Sequence, residues 1–189
     1  NALLGEEIGD IDFATSLIPQ YVTERLEKNG IKSIPTGIQH GTVTAAIKGR
    51  GYEITTLRID RRADGRHADV EFSTDWLEDA RRRDFTINTL YADLDGRIYD
   101  PLGCGFSDLK KRKIRFVGDA DTRIREDYLR ILRFVRFSAR YGRGKFDKIG
   151  LEACCRNKRG LKTLSKERIT QELTKIVTGV GAVRGVEML

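Results

Sequence analysis

The sequence predicts an α+β chain: strands and helices mix over residues 1–117, and residues 118–189 are helical. Three observations carry this. Short runs of alternating apolar and polar residues, punctuated by glycine, fill the first part. Two of these runs, Thr42–Lys48 and Tyr52–Arg58, are joined by Gly49-Arg50-Gly51, which reads as a hairpin turn. After Val117 the apolar residues recur at three- and four-residue intervals instead.

Taken in order, Ile8–Phe13 alternates, with Ile11 and Phe13 on one face and Ile8, Asp10 and Asp12 on the other. Pro19 suits a first helical position, Val22 and Leu26 recur at helical spacing, and Gly30 is the C-terminal stop. In the second hairpin strand Tyr52 and Ile54 share one face, and Glu53 and Thr55 share the other. Residues 59–71 are polar and glycine-containing and read as a mobile loop. Thr74 caps a short helix ending at Arg81, and Asp95-Gly96 marks a tight hairpin between Leu90–Asp93 and Arg97–Tyr99. Asp127–Tyr141 reads as one amphipathic helix closed by Gly142. Leu129, Leu132 and Val135 lie on its apolar stripe, and Arg130, Arg133, Arg136 and Arg140 on a cationic one. Ser165 caps a last clear helix that buries Ile169, Leu173, Ile176 and Val177.

Composition bounds the function. With 39% hydrophobic and 33% charged residues the chain is that of a soluble globular protein, large enough for a sizeable core. No apolar run approaches the ~18–20 residues needed to cross a bilayer, so no membrane partner is expected. Cys104, Cys154 and Cys155 form no C-x-x-C and only two histidines are present, which argues against a zinc site and for a reducing compartment, the cytoplasm. Residues 1–109 carry a net charge of −6 and residues 110–189 a net of +13. An acidic part can hold cations and a basic part a polyanion such as nucleic acid; a solvated basic helical surface also fits.

Three constellations could carry chemistry. Asp10 and Asp12, within "GDIDFATS", sit at i and i+2 and project from one face of a strand. Two like charges so close repel unless a cation lies between them, and Mg²⁺ prefers hard oxygen ligands of this kind. Glu53 is a candidate third carboxylate from a neighbouring strand. The same pair also fits a solvated acidic turn. In Arg82-Arg83-Asp84-Phe85-Thr86-Ile87-Asn88, adjacent arginines followed by a carboxylate suit a triphosphate and a sugar hydroxyl, or a surface basic cluster. Asp127 and Arg130, at i and i+3, suit an intrahelical ion pair or the reading of a base edge. Cytosine and adenine both offer an amino donor beside an unprotonated ring nitrogen. A carboxylate that accepts from the first and a guanidinium that donates to the second admit C and A and reject G and U.

Together these pieces resemble the class II tRNA nucleotidyltransferase and bacterial poly(A) polymerase family. The matching stretches, in family order, are "GDIDFATS", "IPTGIQHGTVT", "YEITTLR", "DGRHADVEF", "RRDFTIN", "YDPLG", "DLKKRKIRFVGD", "REDYLRILRFVRF" and "SKERITQEL". The resemblance implies a nucleotidyltransferase head with a mixed, mostly antiparallel sheet over 1–117, then an all-helical neck and the start of a body over 118–189. It implies Mg²⁺-dependent, template-independent addition of C and A to the 3′ end of tRNA from CTP and ATP. By position it makes Asp10 and Asp12 metal ligands and Asp127 and Arg130 the base-reading pair. Arg83, Arg133 and Arg136 become nucleotide-contacting arginines. Glu53 becomes a third active-site carboxylate, and Asp84 and Asn88 lie near the sugar. Arg58–Phe72 corresponds to the family's flexible loop, linked to the switch from C to A addition.

The family opens with a Gly-Gly-x-Val-Arg-Asp segment, and Asn1 falls where its last residue would be, so the chain is expected to be truncated at both ends. Two other readings stand beside CCA addition: a poly(A) polymerase, which shares the motifs, and a non-catalytic RNA-binding module.

Overall fold

The computed structural model describes residues 2–9, 11–63 and 68–189, with backbone alone over 60–63 and 68–69. The chain divides into two compact units, in the main a first through Arg82 and a second from Arg83.

The first unit is built on a four-stranded sheet, ordered β1-β4-β3-β2. The strands are β1 (Asp12–Thr15), β2 (Lys32–Gly37), β3 (Thr42–Ile47) and β4 (Arg50–Thr56). Only β1 and β4 run parallel, and the other two pairings are antiparallel, so the sheet is mixed and mostly antiparallel, as the sequence predicts. Helix α1 (Pro19–Lys28) starts on its proline and is followed by Gly30 at φ +69°. It packs on β2, β3 and β4. That face of the sheet is therefore apolar: Val43 and Ala45 are buried, and Phe13 meets Tyr52 edge-on at 6.4 Å. The other face carries Asp12, Glu53, Thr55, Thr42 and Thr44, with Thr42 bonded to Thr55 and Thr44 to Thr36 through their hydroxyls.

Several local expectations change. The β3–β4 turn is Lys48-Gly49, not Gly49-Arg50-Gly51. Both residues have positive φ (48° and 77°), as a two-residue turn matched to strand twist requires, and Arg50 already pairs with Ile47. Strand β1 begins at Asp12 rather than Ile8. Arg58–Phe72 is not loop throughout: β5 (Arg58–Ala63) and β6 (Ala68–Phe72) pair as a two-stranded ribbon, since backbone pairing needs no apolar side chains. Helix α2 (Trp76–Arg81) is capped by Asp75, whose Oδ1 accepts from the Leu77 N–H at 2.8 Å, not by Thr74.

The second unit begins with a 3-10 turn (Thr86–Thr89) and the hairpin β7 (Tyr91–Ala92) and β8 (Ile98–Tyr99), whose turn contains Gly96 at φ +80°. Helices follow: α3 (Gly105–Lys110), α4 (Ala120–Glu126), α5 (Leu129–Arg140), α6 (Lys148–Asn157), α7 (Lys166–Thr178) and α8 (Ala182–Met188). Phe85, Phe116, Ile124, Ile131 and Phe134 form the main core, with Phe116 stacked on Phe134 at 5.2 Å. Leu132, Val135 and Ile176 form a second cluster between α5 and α7. Val177, expected on the buried face of α7, is exposed, and Glu172 is buried instead.

Asp127–Tyr141 is not a single helix. Asp127 is extended (φ −156°, ψ 106°) between α4 and α5, and its Oδ1 accepts from the Leu129 N–H at 3.1 Å. An aspartate that bonds the backbone two residues ahead competes with helix continuation. The three cysteines are free thiols, and burial pushes Cys154 up to about 12. Among the described residues no helix is long and apolar enough to cross a membrane.

Candidate functional site

In the first unit Asp12 and Glu53 are direct register partners across the parallel β1–β4 pair. Partners in register project from the same face, so both carboxylates stand on the open polar side of the sheet, and both are exposed. They line a cleft of about 890 Å³ with Glu7, Ile8, Gly9, Ile11, Arg50, Gly51 and Tyr52. Glu53 is flanked on its other side by Thr44 of β3. Asp10 lies outside the described residues. Among those described, no group of three His, Cys, Asp or Glu side chains is gathered to hold a metal ion. The donor set that is present is all carboxylate and hydroxyl oxygen. It fits a hard divalent cation that takes one or two carboxylates and completes its shell from a substrate phosphate.

In the second unit the remaining candidates form two linked groups. Asp84 is buried and accepts three hydrogen bonds: Oδ1 accepts from the Phe85 N–H and from Asn88 Nδ2, each at 2.9 Å, and Oδ2 accepts from Arg133 Nε at 2.6 Å. The Asn88 backbone carbonyl in turn accepts from Arg83 Nη1 at 3.0 Å, and the Arg83 guanidinium lies 5.0 Å over the Tyr91 ring. Arg136 Nε donates to Glu172 Oε2 at 2.7 Å. The structure thus joins Arg83, Asp84, Asn88 and Arg133 by hydrogen bonds around the start of the 3-10 turn and the face of α5, and Arg136 meets them through Glu172, whose Oε1 lies 3.9 Å from Arg133 Nη1.

Asp127 and Arg130 are held by separate partners. Asp127 Oδ2 accepts from Arg168 Nη2 at 2.8 Å, while Arg130 donates to the Arg123 carbonyl at 2.8 Å and pairs with Glu126. Each is half-buried, and Asp127 is held through both carboxylate oxygens, Oδ1 by the Leu129 N–H and Oδ2 by Arg168.

Sequence reasoning missed Tyr91, Glu126, Phe137, Arg168 and Glu172. A signal for Glu172 was present. It lies three residues after Ile169 and four before Ile176, on the stripe that helical periodicity buries, and a carboxylate there demands cationic partners. Phe137 is four residues from Arg133, hence on its face.

Residues 1–115 match the family model described as the poly A polymerase head domain. Residues 145–189 match one described as the probable RNA and SrmB-binding site of polymerase A. Over 99% of its length the chain is 47% identical to the mitochondrial CCA tRNA nucleotidyltransferase 1 of Danio rerio, covering 44% of that protein. It is 45% identical to the CCA-adding enzyme of Oceanobacillus iheyensis, covering 99% of this chain and 46% of that protein. The crystal structure of the Bacillus stearothermophilus CCA-adding enzyme in complex with CTP superposes with a TM-score of 0.88 at 38% identity, covering 100% of this chain and 44% of that one. The chain spans less than half the length of these proteins. Its small mixed sheet with carboxylates on the open face, followed by arginine-bearing helices, is of the nucleotidyltransferase fold class. The chain belongs to the poly A polymerase head-domain family.

Proposed function

We propose that the protein adds C and A nucleotides to the 3′ end of tRNA without a template, using CTP and ATP. The observation that carries this reading is the pairing of Asp12 with Glu53 on the open face of the sheet. The CCA-adding relatives and the CTP complex of the superposed neighbour support it.

In the reaction the oxygen of the primer's 3′-hydroxyl bonds to the α-phosphorus of the nucleotide. The bond from the α-phosphorus to the oxygen bridging it to the β-phosphate breaks, pyrophosphate leaves with that bond's electron pair, and the hydroxyl proton passes to solvent. Asp12, with Asp10 by its spacing in the sequence, would hold Mg²⁺, and Glu53 stands beside Asp12. Such an ion, when bound, lowers the hydroxyl's pKa and neutralises the departing phosphates. Arg83, Arg133 and Arg136 are assigned to the nucleotide, each already oriented by a neighbour. Asp84 and Asn88 are assigned near the sugar; the Asp84 carboxylate holds Arg133 and the Asn88 backbone carbonyl holds Arg83. Asp127 accepts from the exocyclic amino group of C or A, and Arg130 donates to the adjacent ring nitrogen. With Arg168 holding Asp127 and Glu126 holding Arg130, the pair is preorganised, which reduces the ordering cost of binding. The basic helices from residue 118 onward are assigned to the RNA backbone. The free thiols support a reducing compartment, the cytoplasm in this reading.

The test supplies the full-length protein with tRNA lacking its CCA end, CTP, ATP and Mg²⁺. Addition of three nucleotides, C, C and A, is expected. A long A tract would instead identify a poly(A) polymerase. RNA binding without any transfer would identify an RNA-binding module.

A further inference from the structure

We propose that Glu172 is a positioning residue for the incoming nucleotide, setting the orientation of Arg133 and Arg136; this rests on the functional reading above. Glu172 sits on α7, is 3% exposed, and lies on the stripe whose other members, Ile169, Leu173 and Ile176, pack against core. Packing alone asks for an apolar side chain at such a position, because a buried carboxylate is costly unless it is well paired.

Its pairing explains the charge. Glu172 Oε2 accepts from Arg136 Nε at 2.7 Å; Oε1 lies 3.9 Å from Arg133 Nη1 and 3.6 Å from Lys175 Nζ. Arg133 is bracketed from its other end by Asp84 at 2.6 Å. The Phe137 ring completes the mount, with the Arg133 guanidinium 5.4 Å and the Arg136 guanidinium 4.6 Å from its centroid. Each arginine therefore has its Nε taken by a carboxylate and its plane set against one shared ring. A guanidinium is rigid and planar, so fixing Nε and the plane also fixes the direction of the remaining N–H groups. Three cations meet two carboxylates in this cluster, so positive charge is left over after the internal pairs are made. That surplus suits a ligand carrying several negative charges, such as a nucleoside triphosphate.

The role is one of binding, so Glu172 should govern nucleotide affinity and not the chemical step. Glu172→Gln keeps the shape and an acceptor oxygen but removes the charge. Glu172→Asp keeps the charge and withdraws it by one methylene. In the full-length protein, Glu172→Gln should raise KM for both CTP and ATP roughly tenfold, the scale of weakening a hydrogen bond to a charged group, with kcat within about twofold of wild type. Glu172→Asp should fall between the two. Thermal unfolding reports whether each variant is folded; should Glu172→Gln not fold, the KM of Glu172→Asp decides. Unchanged KM in the folded variants, or kcat falling while KM holds, overturns the proposal and leaves the functional reading standing. Wild-type protein that neither binds nor transfers CTP and ATP overturns both, and that control is read first.

Discussion

Asp12→Ala in the full-length protein will lower nucleotide incorporation by roughly 10²–10³-fold, the scale of losing one preorganised charge-stabilising group at a reacting phosphate. The reason is local. Asp12 is the first residue of β1, and the parallel register sets it beside Glu53 on the polar face, away from α1. Removing one carboxylate of the pair halves the negative charge that the two strands place there, and with it the hold on a cation whose other ligands come from substrate. The fold should be indifferent. The side chain is exposed, and the strand pairs through its backbone, so stability should stay within about 0.5 kcal/mol of wild type. Asp10→Ala, at the other carboxylate that the D-x-D pattern assigns to the ion, should behave alike. Single-turnover incorporation on tRNA lacking CCA, run beside thermal unfolding, checks both halves. Near-wild-type incorporation by a folded Asp12→Ala protein would remove the carboxylate from the chemistry.

The second large effect is on the choice of base. Replacing Asp127 and Arg130 together with alanine should cut the preference for CTP and ATP over GTP and UTP by roughly 10–100-fold, since a paired base-edge contact is worth about 1–3 kcal/mol of discrimination. Residues presenting the opposite donor and acceptor pattern should shift acceptance toward G or U. The surrounding bonds sharpen the expectation. Arg168 holds Asp127 and Glu126 holds Arg130, so neither group has to be ordered by the nucleotide. Ratios of kcat/KM across the four nucleotides make the measurement. Selectivity that stays with C and A after both substitutions assigns base reading to other residues.

Helix α1 was legible because its proline and its stop glycine act locally. The hairpin was legible in position but not in its turn, since Gly49-Arg50-Gly51 advertises glycine while the geometry needed two consecutive positive φ values, supplied by Lys48 and Gly49. Helix α5 looked one turn longer than it is. Its apolar spacing extends through Asp127, but the aspartate side chain takes the backbone N–H of Leu129 and breaks the run. The polar stretch after Arg58 carries little apolar signal, and its pairing into the β5–β6 ribbon rests on backbone bonds that composition does not report.

The candidate site divides in the same way. The alternation that turns Asp12 and Glu53 to the polar face of their strands could be read from local periodicity. Their juxtaposition could not, because β1 and β4 are brought side by side across α1, β2 and β3, and the register of a parallel pair is not written in either strand. The stripe of arginines on α5 was equally plain. The carboxylates that orient Arg133 and Arg136, Asp84 and Glu172, come from 36 or more residues away along the chain, and no local pattern couples such positions.

The most direct test of the central claim, that the Asp12–Glu53 face holds the divalent ion, is Mn²⁺ titration followed by electron paramagnetic resonance. Wild-type protein should bind Mn²⁺, release it to competing Mg²⁺, and lose the bound signal in folded Asp12→Asn. Equal Mn²⁺ binding by Asp12→Asn and wild type, or none by wild type in the presence of CTP, would contradict the account.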